Sequence, residues 1–449
     1  MLKGHLKYSA LLLSLGIAPA WSANLVDIYQ DAIVKDAEIA ASKARFDSNK
    51  EVEEQAFSSL LPQVGLGASY SNTDTKNSSP FNDSDSETTE WNIQGRQVLF
   101  DGSVWNTWKA AQNSTQAAQY TYLADQQSLT LRTAVAYIGV LRAHENLTLR
   151  IAEEKAVGRQ LEQTKQHFEV GLIPITDVHE AQASFDGARV NRIVAQNDLN
   201  IAFEDLTKLT GEMYPDLDAL SQEYPIANPV PAAAQDWVTK ALEKNPSLAA
   251  AQYAVTAAQE NVDASQAGHY PTIDVTASYG QQTIDGDNQL ADSDPENTVV
   301  ALNFNLPLYA GGGVSSSVRK ATSDLEEARH NLTFANRNIT QQTRTLYSQV
   351  TSSVLRIDAR KQSVVSSQSA LEATELGYEV GTRNIVDVLI AQRNLYEAQR
   401  NLADARYDYI VAYFQLKQVS GELAQVDIEE LNNWLTGGKV TTVEVTKNL

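Results

Sequence analysis

Much of this chain is written twice, and no other feature restricts its fold so strongly. Leu61-Pro62-Gln63-Val64-Gly65-Leu66-Gly67-Ala68-Ser69-Tyr70 matches Tyr270-Pro271-Thr272-Ile273-Asp274-Val275-Thr276-Ala277-Ser278-Tyr279 at an offset of 209 residues. Val98-Leu99-Phe100-Asp101-Gly102 matches Pro307-Leu308-Tyr309-Ala310-Gly311 at the same offset. Phe168-Glu169-Val170-Gly171-Leu172 and Ile175-Thr176-Asp177-Val178 match Tyr378-Glu379-Val380-Gly381-Thr382 and Ile385-Val386-Asp387-Val388 at 210. Thr210-Gly211-Glu212 matches Ser420-Gly421-Glu422. A solenoid unit spans roughly 20–50 residues. A period this long describes two copies of one half-subunit, over residues 24–235 and 236–434.

Each half reads in the same order. Strands are expected at about 61–76 and 88–100, then at about 270–284 and 297–310. In them Val64, Leu66, Ala68 and Tyr70, or Val300, Leu302, Phe304 and Leu306, alternate with small or polar residues. This period of two suits strands of an outer-membrane barrel, apolar towards lipid and polar towards the lumen. It also fits a soluble sheet with one covered face. The connecting segments Asn72–Thr89 and Asp285–Asn297 are acidic and polar and read as long loops; their spacing fits no EF-hand.

Long helices are expected at about 103–170 and 314–380. Neither contains Pro, and about 68 residues at 1.5 Å each give roughly 100 Å. Ordinary globular helices average about 11–12 residues. Return helices follow at about 175–210 and 385–420. The second carries a heptad seam of Leu395, Ala398, Leu402, Ala405, Tyr409, Ala412, Leu416 and Val419, which imposes coiled-coil packing. The first has the same seam, breached at Arg192. The return helices are about half as long as their neighbours. Helices near Ala37–Ser59 and Pro246–Ala267, stacked on their ends, would complete the pairing. Residues 211–235 and 421–445 form irregular segments, and 435–449 read as a polar C-terminal tail.

Residues 1–23 have the form of a secretory leader: Lys3 and Lys7, an apolar run from Ala10 to Ala18, and a small-x-small site. Cleavage is expected after residue 20 or 23. The formal charge of −21 leaves no basic stripe for phosphates, so no nucleic acid is expected. With no cysteines there is no thiolate metal site and no thiol nucleophile. His144, His167, His179, His269 and His330 lack ligand spacing. No metal, cofactor or catalytic constellation is expected.

Four strands cannot close a barrel, and open sheet edges are not tolerated in lipid. Copies must therefore combine. A dimer would supply eight strands and a trimer twelve, and the small, polar inner residues favour a wet lumen.

The repeated blocks identify the chain as similar to the TolC family of outer-membrane efflux proteins, from Asn24 to about Trp434. The resemblance implies an α+β membrane protein. It would be a homotrimeric twelve-stranded β-barrel, four strands per subunit, continued by a long α-helical coiled-coil barrel. An equatorial domain would be formed by 211–235 and 421–445. It implies the outer membrane of a Gram-negative bacterium, with the helices in the periplasm. The expected partners are outer-membrane lipid, a periplasmic adaptor (membrane fusion) protein and an inner-membrane transporter. The expected function is passive conduction in efflux or type I secretion. A periplasmic coiled-coil adaptor or scaffold without a pore is the alternative.

The resemblance also assigns sites. Thr176, Asp177, Tyr378 and Arg383 match residues that link neighbouring coiled coils and hold the periplasmic entrance shut. Arg383 with Asp177 would be a charge-assisted pair, with Tyr378 donating a further bond. Taken alone, Thr176 or Asp177 also reads as a helix cap. Asp387 matches a throat position that would form an acidic ring. The family pattern has a second Asp three residues on, where this chain has Ile390, so one charged and one apolar constriction are expected. Val170, Gly171, Leu172, Val380, Gly381 and Thr382 form the tips expected to meet the adaptor. Gly171 and Gly381 occupy left-handed cap positions.

Overall fold

A computed structural model describes residues 24–75, 84–286 and 294–441. The expected leader, the ends of both strand-pair connections and residues 442–449 lie outside the described residues. The first half contains α1 (Leu25–Lys35), α2 (Ala37–Ser58), β1 (Gln63–Thr75), β2 (Ser84–Phe100), α3 (Gly102–Glu169), α4 (Ile175–Thr210) and β3 (Asp216–Leu220). The second contains α5 (Ala234–Lys244), α6 (Pro246–Gln266), β4 (Thr272–Gly286), β5 (Glu296–Asn305), α7 (Gly313–Glu379), α8 (Ile385–Val419), α9 (Gln425–Asn432) and β6 (Leu435–Thr441). Among the described residues no helix is long and apolar enough to cross a membrane.

The helix α3 has 68 residues and α7 has 67. Each pairs with its return helix, α3 with α4 and α7 with α8. All eight α8 seam residues lie against the core: Leu416 is fully buried, and Leu402 is partly buried. The Arg192 breach of the α4 seam has a partner, because its Nε lies 2.5 Å from Glu154 Oε2 on α3. A charge at that position is therefore tolerated without a gap.

The short helices continue the return helices. Lys35, ending α1, lies 2.8 Å from Glu212 just past α4. Lys244, ending α5, lies 2.9 Å from Glu422 just past α8. Next in each half comes an N-cap, Asp36 for α2 and Asn245 for α6, both extended. The Asn245 side chain also donates 2.9 Å to the carbonyl of Val419, capping the buried end of α8.

Two cores result. The larger lies at mid-height, where Trp237, Tyr137, Leu199 and Ile410 are essentially fully buried. The smaller lies towards the helix tips, with Val157, Leu161, Leu371, Ile385 and Val388.

Three expectations differ from the structure. Residues 435–441 are not part of a polar tail: they form β6, antiparallel to β3, with Val440 buried opposite Leu217. Leu435 and Val440, five residues apart, make no period-two pattern that would stand out in the sequence. The segment Asn72–Thr89 is not one long loop either. The β1–β2 ladder continues to Thr75 opposite Ser84, carrying Asp85 and Glu87 within β2. Both faces are polar there, so apolar alternation stops while the backbone ladder does not. Likewise Asp285 lies in β4, opposite Glu87.

Candidate functional site

The strands form one antiparallel sheet in the order β1-β2-β4-β5. Its register sorts the side chains. Leu66, Ile93 and Tyr279 are opposite one another across three strands, and Val64, Gly95, Ala277 and Val300 across four. That face is apolar and uncovered. Val64 is 72% exposed, Leu66 76%, Val300 73% and Leu302 68%. Trp91 and Tyr279 meet edge to face on it, 5.6 Å between centroids. The opposite face is polar and internally bonded. Arg96 Nη2 lies 3.2 Å from Asp274 Oδ1, and Asn303 donates to Asp274 Oδ2 at 3.0 Å and to Thr276 Oγ1 at 3.3 Å. Gly67 belongs to this face because a Cβ there would lie 2.9 Å from Asn92 Oδ1. Among the described residues, β1 and β5 each have one unpaired edge.

At the far end, the two tips have nearly the same build. Helix α3 stops at Gly171, φ 76°, and α7 at Gly381, φ 74°. The Leu172 N–H returns to the His167 carbonyl at 2.9 Å, and the Thr382 N–H to Gly377 at 2.8 Å. These bonds satisfy carbonyls that a helix end would otherwise leave free. They leave Val170, Leu172 and Val380 at least 70% exposed, an apolar surface without cover in the chain.

Tyr378 belongs to the lower core and stacks on His167, centroids 6.4 Å apart. Its hydroxyl is buried yet has no hydrogen-bond partner among the described residues. Burial, then the negative charge of Asp177, push this phenol above its ordinary pKa. Arg383 behaves differently. Within the chain its Nη1 lies 3.8 Å from Asp387 Oδ2, one helical turn away, and it makes no ion pair with Asp177 among the described residues. Thr176 Oγ1 donates to Asp177 at 3.2 Å.

Neither Thr176 nor Asp177 caps α4. Its N-cap is Pro174, which makes no side-chain bond. Asp177 lies instead in the first turn, where a negative charge is favoured by the helix dipole. In α8 the cap is Asn384, in a reciprocal box with Asp387. The Asp387 N–H donates to Asn384 Oδ1 at 2.9 Å, and the Asn384 N–H reaches Asp387 Oδ2 at 3.4 Å. This box holds Asp387 in one orientation while its side chain stays 36% exposed. Ile390, one turn on, is 41% exposed.

The profile of the family described as "Outer membrane efflux protein" matches this chain twice, over residues 28–212 and 237–422. The chain belongs to the outer membrane efflux protein family. It is 38% identical over 421 residues to the outer membrane protein TolC of Vibrio cholerae, covering 93% of this chain and 95% of that protein. It is 27% identical over 418 residues to the alkaline protease secretion protein AprF of Pseudomonas aeruginosa, covering 91% and 87%. Among solved structures, the Campylobacter jejuni outer membrane channel CmeC superposes with a TM-score of 0.78 at 17% identity, covering 97% of this chain and 98% of that one.

Two features of this efflux-family chain are not evident from its tip motifs. Asn384 is one, although Asn followed three residues later by Asp is a readable capping signal. The other is a charged tie between α3 and α8. Glu153, 4% exposed, accepts from Arg150 at 3.0 Å and from Arg400 at 2.9 Å. Just beside it the Tyr396 hydroxyl donates to the Ala152 carbonyl at 3.2 Å. This tie separates the lower core from the mid-height core. Sequence spacing does not reveal it, because Glu153 and Arg400 are 247 residues apart.

Proposed function

We propose that this protein is the outer-membrane channel of an efflux or type I secretion assembly, a passive conduit built from three copies. One observation carries the reading. A four-stranded sheet exposes an apolar face, keeps a polar face and leaves both edges open, and it runs into helices of 68 and 67 residues. Such a sheet is unsuited to water and incomplete in lipid until its edges are paired. Three copies give twelve strands, with Arg96, Asp274 and Asn303 facing the lumen and Leu66 and Leu302 facing lipid. The α-helical pairs then form a tunnel of about 100 Å into the periplasm. The mid-height elements, with β3 and β6, form a belt around it. The two profile matches and the paired Lys35–Glu212 and Lys244–Glu422 contacts support two copies of one half-subunit.

The tips form the gate. Thr176, Asp177, Tyr378 and Arg383 act between neighbouring coiled coils, and the buried, unpartnered Tyr378 hydroxyl gains a partner only when the tip repacks against its neighbour. Asp387 and Ile390 line the throat as an acidic and an apolar ring. The exposed Val170, Leu172 and Val380, with Gly171, Gly381 and Thr382, receive a periplasmic adaptor that connects the inner-membrane transporter. Energy comes from that transporter. The relatives named for TolC and for protease secretion support both kinds of cargo. A pore-free scaffold would leave the apolar sheet face unexplained.

Purified protein in planar bilayers tests the reading. Discrete channel steps are expected, small in the native protein and larger when Asp177→Ala and Arg383→Ala are combined. Absence of any conductance from folded protein in the bilayer would refute the conduit. Unchanged conductance in the double variant would refute the latch.

A further inference from the structure

The junction between the two halves is visible within one chain, and it describes a junction that is not. Along the long helices, equivalent buried positions recur at an offset of 210: Thr133 and Thr343, Val140 and Val350, Leu161 and Leu371. Along the short helices and strands the offset is 209, as for Asp36 and Asn245. Inside the chain, α3 of the first half packs extensively on α6 of the second, and β2 pairs with β4. The same step taken once more leaves the chain. It sets α7 against α2 of the next subunit and β5 against its β1.

We infer that the subunit seam copies this internal junction, and that Phe334 of one subunit is its anchor, seated over Asp36, Ala37 and Glu38 of the next. The inference rests on the multi-copy channel reading and names the residues that would close it.

A cavity of about 280 Å³ lies at the internal junction, lined by Ala124 and Gln127 of α3, Asn245, Pro246 and Ser247 at the start of α6, and Val419 of α8, among others. Moving each residue to its equivalent builds the seam. Asn245, Pro246 and Ser247 become Asp36, Ala37 and Glu38; Val419 becomes Leu209. Ala124 becomes Phe334. The small residue inside the chain leaves a void, and the large one at the seam fills it. Phe334 is 71% exposed in the isolated subunit, a poor place for a phenyl ring unless another surface covers it. Buried aromatics of this kind are the usual anchors of interfaces.

Two further equivalences extend the seam. Gln127 donates its side-chain amide to the Gly421 carbonyl at 3.2 Å. Its equivalents are Arg337 and Gly211, so the exposed Arg337 guanidinium reaches a free helix-end carbonyl of the next subunit. In the sheet, Asp274 opposite Val98 translates to a seam register that sets Leu302 opposite Tyr70. Both belong to the apolar face, and a slip of one residue would put one of them into the lumen. A head-to-tail contact repeated this way forms a closed ring rather than a symmetric pair.

The chain has no cysteines, so paired cysteines report cleanly. Phe334→Cys and Ala37→Cys both change exposed positions and leave the cores intact. The protein in detergent is treated with a bifunctional maleimide and run in denaturing gels. The double variant should give covalent dimers and trimers, and each single variant only monomers. A lysine-reactive crosslinker, applied to the same samples, reports assembly by itself. A trimer trapped by lysines without any maleimide ladder overturns this seam but leaves the trimer standing. Monomers under both reagents overturn the seam and the multi-copy reading together.

Discussion

Changing Tyr378 to Phe removes one oxygen from the proposed latch and nothing else. The ring keeps its place in the lower core and its stacking on His167 at 6.4 Å. Within the subunit the lost hydroxyl had no hydrogen-bond partner, so its loss should not weaken the subunit. The hydroxyl is enclosed in the isolated subunit, so a functional change would report a bond formed when the tip repacks in the assembly. A net hydrogen bond is worth about 1 kcal/mol. In the proposed trimer three symmetric copies sum to about 3 kcal/mol, which changes a closed-to-open ratio by a factor of about 150. Single-channel recording reads this ratio as the fraction of time in the high-conductance state. The variant should spend far longer open, with its helical content unchanged by circular dichroism. Tyr378→Ala is a poorer test, because loss of ring packing would loosen the tip by itself. Wild-type open occupancy in Tyr378→Phe trimers would show that the hydroxyl holds nothing shut, and the argument from its missing partner would fall.

Other expectations follow from the same geometry. Asp387→Ala should reduce cation preference in reversal-potential measurements, since the proposed ring selects by its charge. Leu302→Arg places a charge near the middle of β5 on the apolar face, at a cost of about 2–4 kcal/mol per subunit if that face meets lipid. Outer-membrane fractionation should then show much less assembled protein, whereas Asn303→Arg on the polar face should assemble. At mid-height, burial pushes the Glu422 carboxyl up, but hydrogen bonds from Lys244 and Lys240 outweigh it and hold its pKa below the usual 4.5. A depressed carboxylate contributes stability above that value and loses it as the pH falls through the lowered pKa. Hydrogen exchange in α5 should therefore rise below pH 4.5, and Glu422→Gln should remove that pH dependence.

Much of the architecture is local and so legible in order along the chain. Alternation in Val64–Tyr70 and Val300–Leu306 defines one face of each strand whatever it pairs with. The long proline-free runs and the Leu395–Val419 seam define helices that must pair along their length. Gly171 and Gly381 mark the tips because only glycine adopts a left-handed cap at no steric cost. The blocks repeated at 209 and 210 residues set out two halves before any contact is known.

Tertiary structure decided what depends on residues far apart or on backbone alone. The extension of β1 and β2 beyond the apolar pattern is made by ladder bonds, which carry no side-chain signature. The β3–β6 pair joins residues more than 200 apart through few apolar contacts, so nothing local announces it. Arg383 meets Asp387 rather than Asp177 in the chain because one helical turn is a shorter reach than a neighbouring coil. Glu153 becomes a buried, doubly paired carboxylate only when α8 brings Arg400 against α3. Periodicity fixes which face of an element is apolar, but partner choice is a property of the packed whole, where desolvation and distance select among charges the sequence lists without order.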